Sequence, residues 1–133
     1  MSPALLVLTS DDARFYSLVG PHLASRAVHK ALGGVPWDDP GKVWMVAPAP
    51  DAGPALGFVG ISSTGWVESL YTVPDQRDTD LAVQLVDAAV REAGARDLRA
   101  KVRSRRARIF ESAGFQVVSV AGDFTTLKRE KTA

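Results

Sequence analysis

Apolar positions change their spacing several times along the chain, and each change marks a new element. The run Ala4–Thr9 is almost continuously apolar, as a strand would be, and Ser10-Asp11-Asp12 then supplies the short polar side chains that start helices. Phe15, Leu18 and Val19 fall at helical spacing, Gly20-Pro21 breaks that helix, and a second helix carries Leu23, Ala27, Val28 and Leu32. Residues 33–41, rich in Gly, Pro and Asp, read as a loop before a strand over Val43–Val46.

The pattern is most regular between residues 57 and 93. Phe58–Ile61 and Trp66–Tyr71 are short apolar runs joined by Ser62-Ser63-Thr64-Gly65, which is hairpin punctuation. Beyond Pro74 the period lengthens: Leu81, Leu85, Ala88 and Ala89 recur at helical spacing, opposite Gln84, Asp87, Arg91 and Glu92. A bend leading from a strand into a helix aims unpaired amides and a partial positive charge at one spot, which suits phosphate. Gly94 and Ala95 then release the chain into a strand over Leu98–Arg103. A short helix runs through Ile109 and Phe110 toward Gly114, and two terminal strands, Phe115–Val120 and Phe124–Lys128, flank an Ala-Gly-Asp turn.

Composition narrows the class. An apolar content of 46% over 133 residues is enough to bury one core, and neither a repeat nor a linker interrupts it, so residues 1–133 are expected to form a single domain. No apolar run approaches membrane length and no leader-like segment opens the chain, which argues for a cytoplasmic protein with no membrane partner. The absence of cysteine removes disulfides and thiolate chemistry, and His22 and His29, without a carboxylate pattern, make no metal set. The net charge of +1 is unevenly spread, because Arg96, Arg99, Lys101, Arg103, Arg105, Arg106 and Arg108 face only Asp97 within their window. Such polarity favours a phosphate-bearing partner.

Glu68-Ser69-Leu70-Tyr71-Thr72-Val73-Pro74, followed by Arg77-Asp78-Thr79-Asp80-Leu81-Ala82, resembles the strand and pyrophosphate loop of the GNAT superfamily of acyl-CoA-dependent N-acyltransferases. The element order is also similar to that superfamily's. The resemblance implies an α/β (α+β) fold, a mixed central sheet of six to seven strands flanked by helices on both faces. It also implies an N-acetyltransferase that moves an acetyl group from acetyl-CoA to a small-molecule or protein amine by direct attack. Asp78 and Asp80 stand where the family has glycines. Together with Thr79 they are good helix-capping residues, so this loop reads either as a phosphate cradle or as a self-capped helix start.

By the same resemblance, the acyl arm lies between splayed strands 66–73 and 98–103. Backbone groups near Leu70 and Thr72 would hold it, with Arg77, Asp78, Thr79, Asp80, Leu81 and Ala82 around the diphosphate and Ser104 where the family has asparagine. Glu68, a carboxylate inside an apolar strand, is either a general base or a solvated strand residue. Tyr71 is a packing residue or an acid, and strand alternation places it on the face opposite Glu68. Phe110 falls where the family often has a proton-donating tyrosine, and it has no proton to give. His22 and Trp37 lie in the region that shapes the acceptor pocket in such proteins, and either lines it or packs.

The basic window has three readings: the phosphates of CoA, a nucleic acid, or a solvated edge that discourages strand pairing. A second class therefore stands beside the enzyme, a binding or regulatory module of the same fold acting on nucleic acid through Arg96–Arg108. Free strand edges at the C-terminal hairpin suggest a homodimer.

Overall fold

The structure, a computed structural model, describes residues 4–34, 36, 38–77 and 79–130. Seven strands form one sheet: β1 (Leu6–Leu8), β2 (Val43–Ala47), β3 (Gly57–Ile61), β4 (Trp66–Thr72), β5 (Leu98–Arg103), β6 (Gln116–Ala121) and β7 (Phe124–Arg129). Their spatial order is β1-β2-β3-β4-β5-β7-β6, and every neighbouring pair is antiparallel except β4 and β5. That pair is parallel because α4 (Leu81–Ala93) carries the chain back across the sheet between them. The other helices are α1 (Phe15–Leu18), α2 (Gly20–Leu23), α3 (Arg26–Leu32) and α5 (Ala107–Glu111), with 3-10 turns at Pro74–Gln76 and Ser104–Arg106.

Strand alternation sorts the apolar residues into two cores. Met45, Ala47, Val59 and Ile61 pack with Leu85, Val86 and Phe110 of α4 and α5. Trp44, Val46 and Phe58 pack with Phe15, Leu18, Val19 and Val28 from the α1–α3 region. Both faces are thus covered, as the pattern predicts.

The first third departs from the expected boundaries. Ser10 does not open a helix; Asp12 instead accepts hydrogen bonds from the amide and guanidinium of Arg14, and α1 begins at Phe15. The second expected helix divides after Leu23. Pro21 occupies the first turn of α2, where a missing N–H leaves nothing unpaired, and Ser25 caps α3 by accepting from the Val28 amide. At the far edge, β6 leaves Val117, Val118 and Val120 exposed. Among the described residues, no helix is long and apolar enough to cross a membrane.

Candidate active site

The parallel pair β4 and β5 is joined only where Trp66 meets Arg99 and Val67 meets Ala100. Beyond those residues the strands part, leaving a wedge that opens toward the end of β4. On the other edge of β4, Gly60 pairs with Glu68 and Phe58 with Tyr71, so Ser69 and Leu70 together stand opposite Val59. This is a β-bulge, and Ser69 takes the left-handed conformation at φ 63° to make it. One extra residue reverses the alternation. Val67 and Leu70 both enter the α4–α5 core, and Tyr71 joins the α1–α3 core. Glu68 and Tyr71 therefore share the α1–α3 face, contrary to simple alternation, which puts them on opposite sides.

Two arginines meet the carbonyls that the wedge leaves without strand partners. Arg106 Nη1 donates to the Leu70 carbonyl at 3.1 Å, and Arg77 Nε donates to that of Thr72 at 3.3 Å. Burial of the Arg106 guanidinium lowers its pKa from the ordinary arginine value, and the nearby charges of Arg105 and Arg77 lower it further. An anion placed among these three cations would relieve that repulsion.

Three cavities follow the wedge. One of about 160 Å³ lies at its closed end against Ser69, Leu70, Lys101, Arg103 and Arg106. A second, of about 220 Å³, lies against Thr72, Arg77, Ala82, Arg105 and Arg106. The third, of about 700 Å³, spreads toward α3 and is bordered by Lys30, Tyr71, Arg77, Arg103, Ser104 and Arg105, with Asp123 as the acidic residue at its rim. Arg106 borders the first two and stands between them.

Glu68 is held by a long reach across the sheet. Lys42, just before β2, places Nζ 2.9 Å from Glu68 Oε1; the lysine side chain is fully buried, whereas that of Glu68 is 38% exposed. Its ammonium also lies 4.4 Å from the centre of the Trp44 ring. The path crosses β3 at Gly60, where a Cβ would collide with Lys42 Cε. Glycine at this position is what lets a β2 lysine reach a β4 carboxylate.

The bend into α4 answers the question left open by its two aspartates only in part, because Asp78 lies outside the described residues. Thr79 does the capping: its hydroxyl donates to the Gln76 carbonyl at 2.7 Å and accepts from the Leu81 amide at 3.2 Å. Asp80 makes no capping bond; its Oδ1 accepts from the Gln84 side chain one turn along. The next amides, of Ala82 and Val83, have no acceptor among the described residues, and Ala82 borders the 220 Å³ cavity.

Solved structures of similar fold match this chain over nearly its whole length. An acyl-CoA N-acyltransferase from Pseudomonas aeruginosa superposes with a TM-score of 0.73 at 14% identity, over 96% of this chain and 99% of that one. Tetrahymena GCN5 gives 0.72 at 12% identity, over 97% and 96%, and Escherichia coli ElaA gives 0.66 at 12% identity, over 96% and 99%. The chain has the GNAT fold. No family model matches the sequence, and no curated protein matches it in sequence.

Only some of the expected site residues gather at the wedge. Leu70, Thr72, Arg77, Ala82, Ser104 and Tyr71 all border the wedge cavities. The Ser104 hydroxyl is engaged with Thr125 at 2.8 Å, and Leu81 turns its side chain into the core. His22 hydrogen-bonds through Nε2 to the Ala55 carbonyl at 2.8 Å and packs its ring 5.4 Å from that of Tyr71, so it supports the tyrosine from behind. Trp37 lies outside the described residues. Phe110, aligned with the usual GNAT tyrosine, is completely buried and meets Phe115 edge to face at 5.3 Å, far from any acid's role. Sequence reasoning missed Lys42 and Gly60 altogether, and it did not separate Arg106 from its cationic neighbours. A lone lysine heading an apolar strand was the available signal for Lys42.

Proposed function

We propose that this chain is an acyl-CoA-dependent N-acyltransferase that transfers an acetyl group from acetyl-CoA to an amine. The observation that carries the reading is the wedge itself: a parallel pair that parts after Val67 and Ala100, with a cation-lined cavity running from Thr72 at the end of β4 to Ala82 at the start of α4. Acetyl-CoA, when bound, supplies a thioester carbonyl activated toward amines. The residues present fit such a molecule. Arg77, Arg105 and Arg106 would receive its phosphates beside the Ala82 amide, and the β4 backbone at Leu70 and Thr72 would receive its amide-bearing arm. Arg106, bonded here to the Leu70 carbonyl, would turn to a phosphate oxygen when such a molecule is held.

Glu68 takes the proton of the amine. Lys42 fixes Oε1, which orients the carboxylate and leaves the second oxygen for the incoming N–H. Tyr71, on the same face and bordering the 700 Å³ cavity, replaces Phe110 as the candidate acid. The nucleic-acid alternative is less favoured, because Arg103, Arg105 and Arg106 border the wedge cavities. Calorimetric titration with acetyl-CoA tests the reading. Saturable binding, weakened when Arg77 and Arg105 are neutralised together, is the expected result, and absence of any heat of binding overturns it.

A further inference from the structure

The closed end of the wedge is lined unlike a site for a polycation. Its cavity of about 160 Å³ carries Lys101, Arg103 and Arg106, and no carboxylate among its described lining residues. On β5, Leu98 and Ala100 enter the α4–α5 core, which turns Lys101 and Arg103 to the α1–α3 face, the face of Glu68. Val67 pairs with Ala100, so Glu68 and Lys101 are the next residues along the two strands, at the point where these begin to part. Neither cation has a carboxylate within ion-pair distance among the described residues. Lys101 and Arg103 rest instead over the Phe124 ring, at 5.8 and 5.6 Å. Arg103 is moreover short of acceptors: Nη2 reaches the Lys30 carbonyl at 3.4 Å, and Nε is buried with no partner. A buried donor left unpaired calls for a missing acceptor.

We propose that the acceptor of this chain is a small amine bearing an anionic group, a carboxylate or a phosphate, which Lys101 and Arg103 receive while the amine nitrogen turns to Glu68. The assignment rests on the acyltransferase reading and adds to it the class of amine. One strand supplies the base and its neighbour supplies the cations, so an amine and an anion held by one short molecule are recognised together. A diamine or a lysine-rich peptide would bring a second positive charge toward Lys101 and Arg103, where repulsion disfavours it.

The test uses four amines of matched chain length, ending in a carboxylate, a phosphate, a neutral amide and a second amine. Acetyl-CoA binding is established first by calorimetry, and release of the CoA thiol is then followed for each. The anionic members should exceed the diamine by about tenfold or more in kcat/KM. The ratio of carboxylate to phosphate tells which anion is meant, either one supporting the proposal. Lys101→Gln, at an exposed position, should erase most of this preference while acetyl-CoA affinity stays within about twofold. Equal or greater turnover of the diamine or the amide overturns the proposal, as does absence of turnover with the anionic members while acetyl-CoA binds. If acetyl-CoA itself does not bind, the acyltransferase reading falls. Thermal protection by the amino carboxylate over the diamine, lost in Lys101→Gln, then still decides what this cavity prefers.

Discussion

On its α4–α5 face the sheet presents Met45, Val59, Ile61, Val67 and Leu70, all aliphatic or sulfur-bearing and buried, whereas on its α1–α3 face it presents Trp44, Phe58, Tyr71 and the Lys42–Glu68 pair. Thr72 and Thr125 are the buried polar side chains of the first face among the described residues, and over the rest of it volume and shape decide what fits. The second mixes rings with charges. The Lys42 charge needs a route to a partner, which Gly60 opens, and the bulge turns Tyr71 onto the same face. One face is scaffold, and the other holds the groups able to move a proton or bind an ion.

Substitutions sharpen that contrast in decreasing order. Phe110→Ala should cost about 3–5 kcal/mol in denaturant unfolding, because a fully buried ring leaves a cavity in the aliphatic core. A mild stability loss together with slowed thiol release would instead bring Phe110 into the site. Glu68→Gln keeps an acceptor for Lys42 and removes the base, so turnover should fall about a hundredfold with acetyl-CoA affinity unchanged. Glu68→Ala should add a stability loss of about 3 kcal/mol, since the buried lysine loses its ion pair.

Arg106→Ala removes a charge-assisted bond to the Leu70 carbonyl and one cation from two cavities. Stability should drop by about 1.5 kcal/mol and acetyl-CoA affinity by about tenfold. Tighter binding in this variant would mean that the arginine only obstructs the wedge. Gly60→Ala pushes Lys42 off its path and should cost about 1 kcal/mol, with turnover falling more than the melting temperature predicts. The smallest effect lies outside both faces, at Asp12, whose pKa is lowered to about 2 by its hydrogen bonds to Arg14. A depressed carboxylate stabilises the fold above its unfolded value, and the contribution is lost as pH falls through the folded one. The melting difference between the wild type and Asp12→Asn should therefore be present near neutrality and close as pH falls from 3.8 toward 2.

Much of the architecture was legible because its signals are local. The apolar run Val43–Val46, the alternation of Leu98–Arg103 and the helical spacing from Leu81 to Ala93 were read within a residue or two of the observed elements. In the loop, Arg77 and Ala82 matched the motif, and both border a cavity. Misreadings at the helix starts arose where neighbouring side chains compete for the same polar group. Ser10 resembled a helix start, but Asp12 and Arg14 settle into a turn of their own. Asp80 looked like a cap or a plug, yet Gln84 takes its carboxylate and Thr79 takes the amide.

The sequence by itself determined where most strands and helices run, that the chain holds both a strand-to-helix bend and a cationic window, and that Glu68 is out of place in an apolar strand. Each of these follows from backbone periodicity and charge along a few consecutive residues. Only the tertiary structure decided that Glu68 and Tyr71 share a face, that Lys42 crosses Gly60 to reach the carboxylate, and that Arg106 enters the wedge. A bulge exists only as a mismatch between two paired strands, and an ion pair spanning three strands depends on their register. Neither register nor pairing is encoded within any one segment.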